Sequence, residues 1–568
     1  MKSLLLLALL LIGSTAQAQK IVELQAKPLS QNVTTKLSPV KPGKWKVPVI
    51  TWGGDVATIV AAQENIFSGE GLQVELIAEN DFAKQVQMAL NGEIIAVRGT
   101  MGMINTAAEV FKAAGTEMVV IVQLTWSNGG DALVARGGIN NPAALKGKTI
   151  ALQLYGPHMD YSANVLSSAG VNIEDVKFRW FKELTRPTFD TKGTTIDPVS
   201  VFRAEKTVDA VMCIIPDALA LTSNGTKGTG AEGSVKDATI LLSTKTANRV
   251  IADVYGVRKD VFMANKDKFL AFSRSLLKGQ EALDDLRKNK AMNQAKYQQV
   301  LAKSADLLLG APQATADVEA LLGDCEFVGL PGNVAFFTGT GTTRNFAKVN
   351  DEVQASFIKL GLMSTAIKLE AANWPVADLG KGLKNTSLTA STDPKFDTAK
   401  VGAKIEQKLK AEPESFSDDG TLFQVEINFA PNQADFSAEK YAKDYQRALE
   451  LAQTYAGAVV LIEGHADPTG ITRAKDKNEP LAVIAEMEQA IKNLSLNRSN
   501  AVRKSYLDFC KSKGITIDES QFLAVGVGTK NPKYPKPKDK EEWASNRRVV
   551  FRIKQIEAEL NEFQPAGK

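Results

Sequence analysis

The sequence predicts an α/β protein made of a large two-lobed unit joined by a linker to a smaller α/β sandwich of βαβα type. Three observations lead there. Short β-rich runs alternate with helix-like stretches across residues 45–382, a span too long for a single core. A small, polar, proline-bearing break follows at 383–419. A second alternation of strand-like and helix-like segments then fills 420–556.

The elements run in order. Lys2, an apolar stretch at 4–12 and the small-x-small end Ala16-Gln17-Ala18 read as a cleavable signal peptide over 1–18, too short to span a bilayer. Residues 19–44 carry Pro28, Pro39 and Pro42 and read as an extended leader. Strands are expected at 47–52, 72–77, 118–124, 132–136, 149–153 and 210–215, with helices between them and a mainly parallel sheet arrangement. A first helix is expected at 56–64, with Asp55 as its cap. Helix-rich stretches at 268–308 and 351–370 would pack on the lobes. The linker contains a short helix at about 398–411. In the second unit, strands are expected at 423–429, 458–463, 522–527 and 548–553, and helices at 438–455 and 498–513, before a tail at 557–568.

Composition narrows function. The 568 residues are 44% hydrophobic and 23% charged, which excludes a disordered, collagen-like or polytopic membrane chain. Lysine plus arginine exceed aspartate plus glutamate by 68 to 64, too little to call for nucleic acid. Two histidines exclude a multi-histidine metal centre, and three cysteines exclude a dense disulfide scaffold. No metal site, no cofactor and no enzymatic activity are expected, because no nucleophile–histidine arrangement is present.

Three ordered motifs stand in the second unit: Gly464-His465-Ala466-Asp467, Leu494-Ser495-Leu496-Asn497-Arg498 and Asn546-Arg547-Arg548-Val549. Over 420–556 they resemble the OmpA-like peptidoglycan-binding domain. The resemblance implies a pocket for diaminopimelate, an amino acid whose side chain ends in an ammonium and a carboxylate. Asp467 would meet the ammonium, and Arg498 would hold the carboxylate through its planar fork. Arg547 is a second candidate contact and Asn432 a further one. His465 reads as structural. Thirty-one positions separate Asp467 from Arg498, so 471–493 reads as an insertion, with a helical stretch at 481–492.

The first unit resembles periplasmic solute-binding proteins of the nitrate/sulfonate/taurine and thiamine-precursor type. The resemblance rests on Trp52-Gly53-Gly54, on 71–75, on 127–134, on Leu145-Lys146-Gly147-Lys148-Thr149-Ile150-Ala151 and on 208–211. It implies two lobes closing on a small solute and delivering it to an ABC-type permease. Ligands of such folds lie beyond the carboxyl ends of the strands. That points to Trp52, Gly53, Gly54, Thr100, Ser127, Asn128 and Tyr155. Trp52 reads equally as core or as ligand platform. Thiamine-pyrimidine synthases within this resemblance carry a cysteine-rich iron motif, whereas Cys213 and Cys325 stand isolated. The whole reads as a periplasmic solute-binding protein tethered to peptidoglycan, near the outer membrane in one arrangement. The alternative is a structural or sensory envelope protein whose two-lobed unit binds a protein partner.

Overall fold

The computed structural model describes residues 20–185, 194–195, 197–388, 395–411, 421–428 and 438–554. The signal peptide at 1–18, Asn432 and the tail at 557–568 lie outside the described residues. Among the described residues no helix is long and apolar enough to cross a membrane.

Lobe one begins with β1 (Trp45–Val49) parallel to β2 (Val74–Ala78), followed by β3 (Val97–Thr100) and β4 (Met118–Ser127). Every residue of β4 is buried, so it reads as one apolar run without alternation. The chain crosses at 128–130 into lobe two, where β5 (Asp131–Ala135), β6 (Thr149–Gln153), β7 (Lys177–Phe181), β8 (Ala210–Ile214) and β9 (Thr239–Ser243) form a sheet of order β9-β5-β8-β6-β7. It returns at 244–251 into β10 (Ala252–Arg258), which pairs antiparallel with both β3 and β4. Then β11 (Cys325–Phe327) and β12 (Glu370–Ala371) add to β4.

The sheets are less parallel than the sequence suggests. β4 carries the chain out of lobe one and β10 brings it back, so these two long neighbours must run in opposite directions. For the same reason β5 lies antiparallel to β8 and β9, while β6, β7 and β8 keep the parallel pairing of ordinary βαβ units. Helix starts follow side-chain caps. Asp81 accepts from the Lys84 N–H before the Phe82–Leu90 helix, and Asn345 accepts from the Lys348 N–H before the Phe346–Lys359 helix.

Asp55 departs from its expected role. It makes no side-chain cap to the Val56–Gln63 helix. Instead its Oδ1 accepts from Arg98 Nε at 2.9 Å and its Oδ2 from the Ile50 N–H at 3.0 Å. Arg98 is 0% exposed and reaches Asp253 Oδ1 at 2.8 Å with Nη1. Asp253 Oδ2 accepts from the Thr125 hydroxyl, and Thr125 Oγ1 in turn accepts from Trp52 Nε1 at 3.1 Å. This network ties the ends of β1, β3, β4 and β10 to one another.

The leader lies across both lobes. Residues 20–21 pair with 194–195, and the Leu24 N–H donates to Trp180 O in lobe two. Leu29 is fully buried, Ser30 bonds Glu109, and the Ser38 N–H donates to Leu90 O in lobe one.

The second unit has a four-stranded sheet of order β13-β16-β14-β15, from β13 (Thr421–Asn428), β14 (Val459–His465), β15 (Phe522–Gly528) and β16 (Arg548–Lys554). β14 and β15 are parallel, and β16 runs antiparallel to β13 and β14. The helical stretch expected at 481–492 and the helix expected at 498–513 are one unbroken helix, Leu481–Ser512. No glycine or proline interrupts 481–512, so nothing stops propagation across the boundary. The unit docks on the first one. Arg447 Nη2 donates to Ser168 O at 2.8 Å, the Thr343 hydroxyl donates to Gln453 Oε1 at 2.8 Å, and a Cβ at Gly457 would meet Lys245 O at 1.9 Å.

Replacing Arg98 by methionine would leave Asp55 and Asp253 buried without a counter-charge. The expected cost is about 3–5 kcal/mol, read as a lower midpoint of the first unit's urea transition. Adding Asp55→Asn and Asp253→Asn in the same chain is expected to recover most of it.

Candidate functional site

The lobes meet at the carboxyl ends of β1, β3 and β4, where the two crossings run. Trp52 is half-buried, with its indole N–H on Thr125. Its ring covers Gly130, where a Cβ would sit 2.7 Å from ring atoms. Gly53 abuts the Leu321 carbonyl, which a Cβ would approach to 2.0 Å, and Gly54 abuts Thr125. Thr100 caps the Met101–Ala113 helix by accepting from the Met103 N–H at 3.3 Å. Ser127 donates to Asp131 Oδ2 at 2.6 Å and lies 2.8 Å from Thr244 Oγ1. The Asn128 N–H donates to Asp324 O at 2.8 Å. Tyr155 stands apart from this group: its hydroxyl donates to Lys27 O at 2.7 Å and accepts from Asn32 at 2.9 Å, so it seats the leader. Burial pushes the Tyr155 phenol up to about 12.

Sequence reasoning missed the residue at the centre, Asp160. It comes from the first turn of the His158–Ser168 helix in lobe two. Its Oδ1 accepts from the Thr100 hydroxyl at 3.1 Å and its Oδ2 from the Gly102 N–H at 2.8 Å. The carboxylate of one lobe therefore occupies the helix N-terminus of the other, where backbone N–H groups and the helix dipole favour negative charge. Gly102 permits the approach, since a Cβ there would meet Asp160 Oδ1 at 1.9 Å. Asp160 is 4% exposed, and burial pushes its carboxyl up to about 7 against the opposing Gly102 and Thr100 bonds. In sequence, an acid in a first helical turn reads only as a partner of its own helix dipole.

Two further acids flank the crossings. Asp131 meets His158 Nε2 at 2.9 Å. Asp324 is pushed up to about 7 by burial, with the Asp131 charge adding to the effect and Lys245 opposing it. Asp324 abuts the same Gly130 as the Trp52 indole and Asp131 follows Gly130 in the chain, so this side of the junction favours hydrogen-bond donors over oxyanions. Behind Asp160, a cavity of about 440 Å³ opens between the His158–Ser168 and Phe346–Lys359 helices.

In the second unit the three motifs converge. Ser495 anchors the long helix to the sheet by accepting from the Gly528 N–H at 3.0 Å, and a Cβ at Gly464 would meet Ser495 O at 2.0 Å. Arg498 follows one turn later and is 2% exposed. Among the described residues it has no carboxylate partner, and its Nε is buried without a hydrogen bond, as is the Nε of Arg547. Burial and then the Arg547 charge hold Arg498 below the usual guanidinium range. Asp467 Oδ1 accepts from the Thr469 N–H at 3.0 Å, and its Oδ2 accepts from Asn546 Nδ2 at 3.1 Å. Asn546 thus links the acid to the neighbouring Arg547. His465 is buried, with Nε2 3.5 Å from Glu463 Oε2, and Glu463 pairs with Arg552 at 2.8 Å. A buried guanidinium, Arg498, and a half-buried one, Arg547, with spare donors near a carboxylate can grip a zwitterion.

Residues 55–285 match the family model described as NMT1/THI5-like, a span that starts at Asp55 and includes both crossings. No curated protein matches the chain. Among solved structures, the periplasmic aliphatic sulphonate-binding protein of Escherichia coli is 13% identical, with a TM-score of 0.38 over 63% of this chain and 96% of that one. The periplasmic nitrate-binding protein of Synechocystis PCC 6803 is 15% identical, with a TM-score of 0.32 over 47% of this chain and 67% of its own. A desulfurization enzyme is 12% identical, with a TM-score of 0.31 over 57% of this chain and 94% of its own. At such scores these likenesses add nothing to the fold, which rests on the strand order and the two crossings.

The raised Asp160 value has a definite sign. Between about pH 4 and pH 7 the folded chain holds a proton that the unfolded chain has released, so stability from this group is complete below the lower value and is lost as pH rises through the upper one. Wild type is therefore expected to lose stability relative to Asp160→Asn from about pH 5 to about pH 8, by roughly 1–3 kcal/mol. Paired thermal melts across that range check it, and a pH-independent difference refutes it.

Proposed function

We propose that this chain is a periplasmic, ABC-transporter-type solute-binding protein held at the cell wall by its second unit. The NMT1/THI5-like match across both crossings, in a unit whose two lobes meet around Trp52, Thr100 and Ser127, supports the solute-binding part. The signal-like start at 1–18 supports export. Asp131 and Asp324 near Trp52 favour a solute with ammonium or other donor groups, and a permease is its natural recipient. Arg498 and Arg547, whose Nε atoms have no hydrogen-bond partner among the described residues, carry the wall-binding part together with Asp467: a diaminopimelate carboxylate would bind the guanidiniums and its ammonium the acid. Binding at both places is non-covalent. Tethering raises the concentration of the first unit near membrane partners without any new contact.

One observation favours a second reading. The hydrogen-bonding groups of Thr100 and Ser127 are already taken by Asp160 and Asp131, which suits a structural or sensory envelope protein whose first unit meets a protein partner. Native mass spectrometry of freshly isolated protein separates the readings: a co-purifying small solute supports the first, and a chain mass alone, with a stoichiometric protein partner, supports the second.

For the wall pocket, co-sedimentation with purified diaminopimelate-containing sacculi is expected to retain wild type and to fall about tenfold or more in Arg498→Gln, Arg547→Gln and Asp467→Asn, the loss expected for removing one charge-assisted contact. Retention unchanged in all three would reject the pocket.

A further inference from the structure

Between the two units lies a second cavity, of about 630 Å³, lined by residues from both crossings, from the linker helix and from the second unit. Its cations come from three segments. Lys245 belongs to the return crossing, Lys395 precedes the Thr398–Ala411 helix, and Lys400 and Lys404 lie on that helix. Among the described residues no carboxylate comes within ion-pair distance of any of the four. Lys400 and Lys404 are one helical turn apart, so they face the same way and repel each other, a cost to the helix that a bound anion removes.

Both carboxylates in the lining hold closer partners, while Lys395 acts on Glu326 and Lys245 on Asp324 only at longer range. Glu326 Oε1 accepts from Arg249 Nη2 at 2.6 Å, and Asp397 Oδ1 accepts from the N–H groups of Ala399 and Lys400 at the start of the linker helix. An independent observation also points to a ligand. Asn248 lines the cavity and is 6% exposed, yet its Oδ1 is buried without a hydrogen-bond partner among the described residues. An unpaired buried acceptor is destabilising, so a donor at this spot would be stabilising. The walls around it are held by backbone contacts. The Arg249 N–H donates to Thr454 O at 3.3 Å, and the Gly457 N–H donates to Thr246 O at 3.2 Å.

We propose that this junction binds a small organic polyanion that also carries a hydroxyl or amine donor, with the lysines holding its charges and Asn248 Oδ1 accepting its hydrogen bond. The volume suits a compact metabolite-sized molecule. Because Lys245 and Asn248 belong to a crossing between the lobes, occupancy fastens the second unit and the linker helix to the segment about which the lobes would move. The site adjoins the Trp52 region through Asn128 and Lys245 and shares no lining residue with the Arg498 pocket.

Citrate, which has three carboxylates and a hydroxyl, and tricarballylate, which lacks the hydroxyl, are the probes. Calorimetric titration of the full mature chain at constant ionic strength is expected to show citrate binding at least about fivefold tighter than tricarballylate. Lys400→Gln/Lys404→Gln, two substitutions on the helix surface, is expected to weaken citrate about tenfold or more. Hydrogen exchange on the wild-type chain provides a reading that needs no variant: citrate should slow exchange at 245–248 and 395–404. Absence of citrate binding, equal affinity for the two anions, unchanged affinity in the double variant, or protection confined to other segments overturns the proposal.

Discussion

One buried guanidinium holds the first unit in register. Arg98 stands between Asp55 and Asp253, on the strand between the start of the first helix and the returning crossing strand. A lone buried ion costs several kcal/mol, so the three side chains are viable only together. Their placement has consequences beyond charge. Asp253 orients Thr125, and Thr125 holds the Trp52 indole, so the aromatic ring at the lobe junction is positioned by an ion network one layer beneath it.

The junction itself is governed by Asp160. A helix N-terminus opening between two lobes invites an anion, and here the anion is covalently part of the opposite lobe. The arrangement links the lobes through a carboxyl group poised near neutral pH, not through apolar contact alone. Asp131 with His158 and the half-buried Asp324 extend the acidic character along the crossings. The second unit has the opposite character around its motifs, where the Nε atoms of Arg498 and Arg547 have no hydrogen-bond partner among the described residues.

Much of the architecture was legible because strand and helix periodicities are local properties. The all-buried run of β4, the alternation in β2 and the break before the second unit each announce themselves within about ten residues. The second unit's motifs were legible as well, since Ser495 and Gly464 have to sit where the helix touches the sheet, and Arg498 follows by helical spacing. What stayed hidden depends on distant partners. Asp55 looked like a helix cap because Asp at that position usually is one, yet Arg98 and the Ile50 N–H take both its oxygens. Tyr155 looked like a cleft residue, yet it receives the leader. Asp160 gave no signal, because its partners, Thr100 and Gly102, lie nearly sixty residues away. The unbroken Leu481–Ser512 helix was concealed because reading 471–493 as an insertion split one helix into stretches at 481–492 and 498–513, although 481–512 contains no glycine or proline.

The leader's route fastens one short segment to both halves of the first unit. Glu23 meets Arg179, 156 residues further along, and residues 20–21 pair with 194–195 in lobe two, while Ser30 and Ser38 hold to Glu109 and Leu90 in lobe one. A change in the angle between the lobes would have to break contacts at one end of this segment, so the leader adds a mechanical restraint that neither sheet supplies.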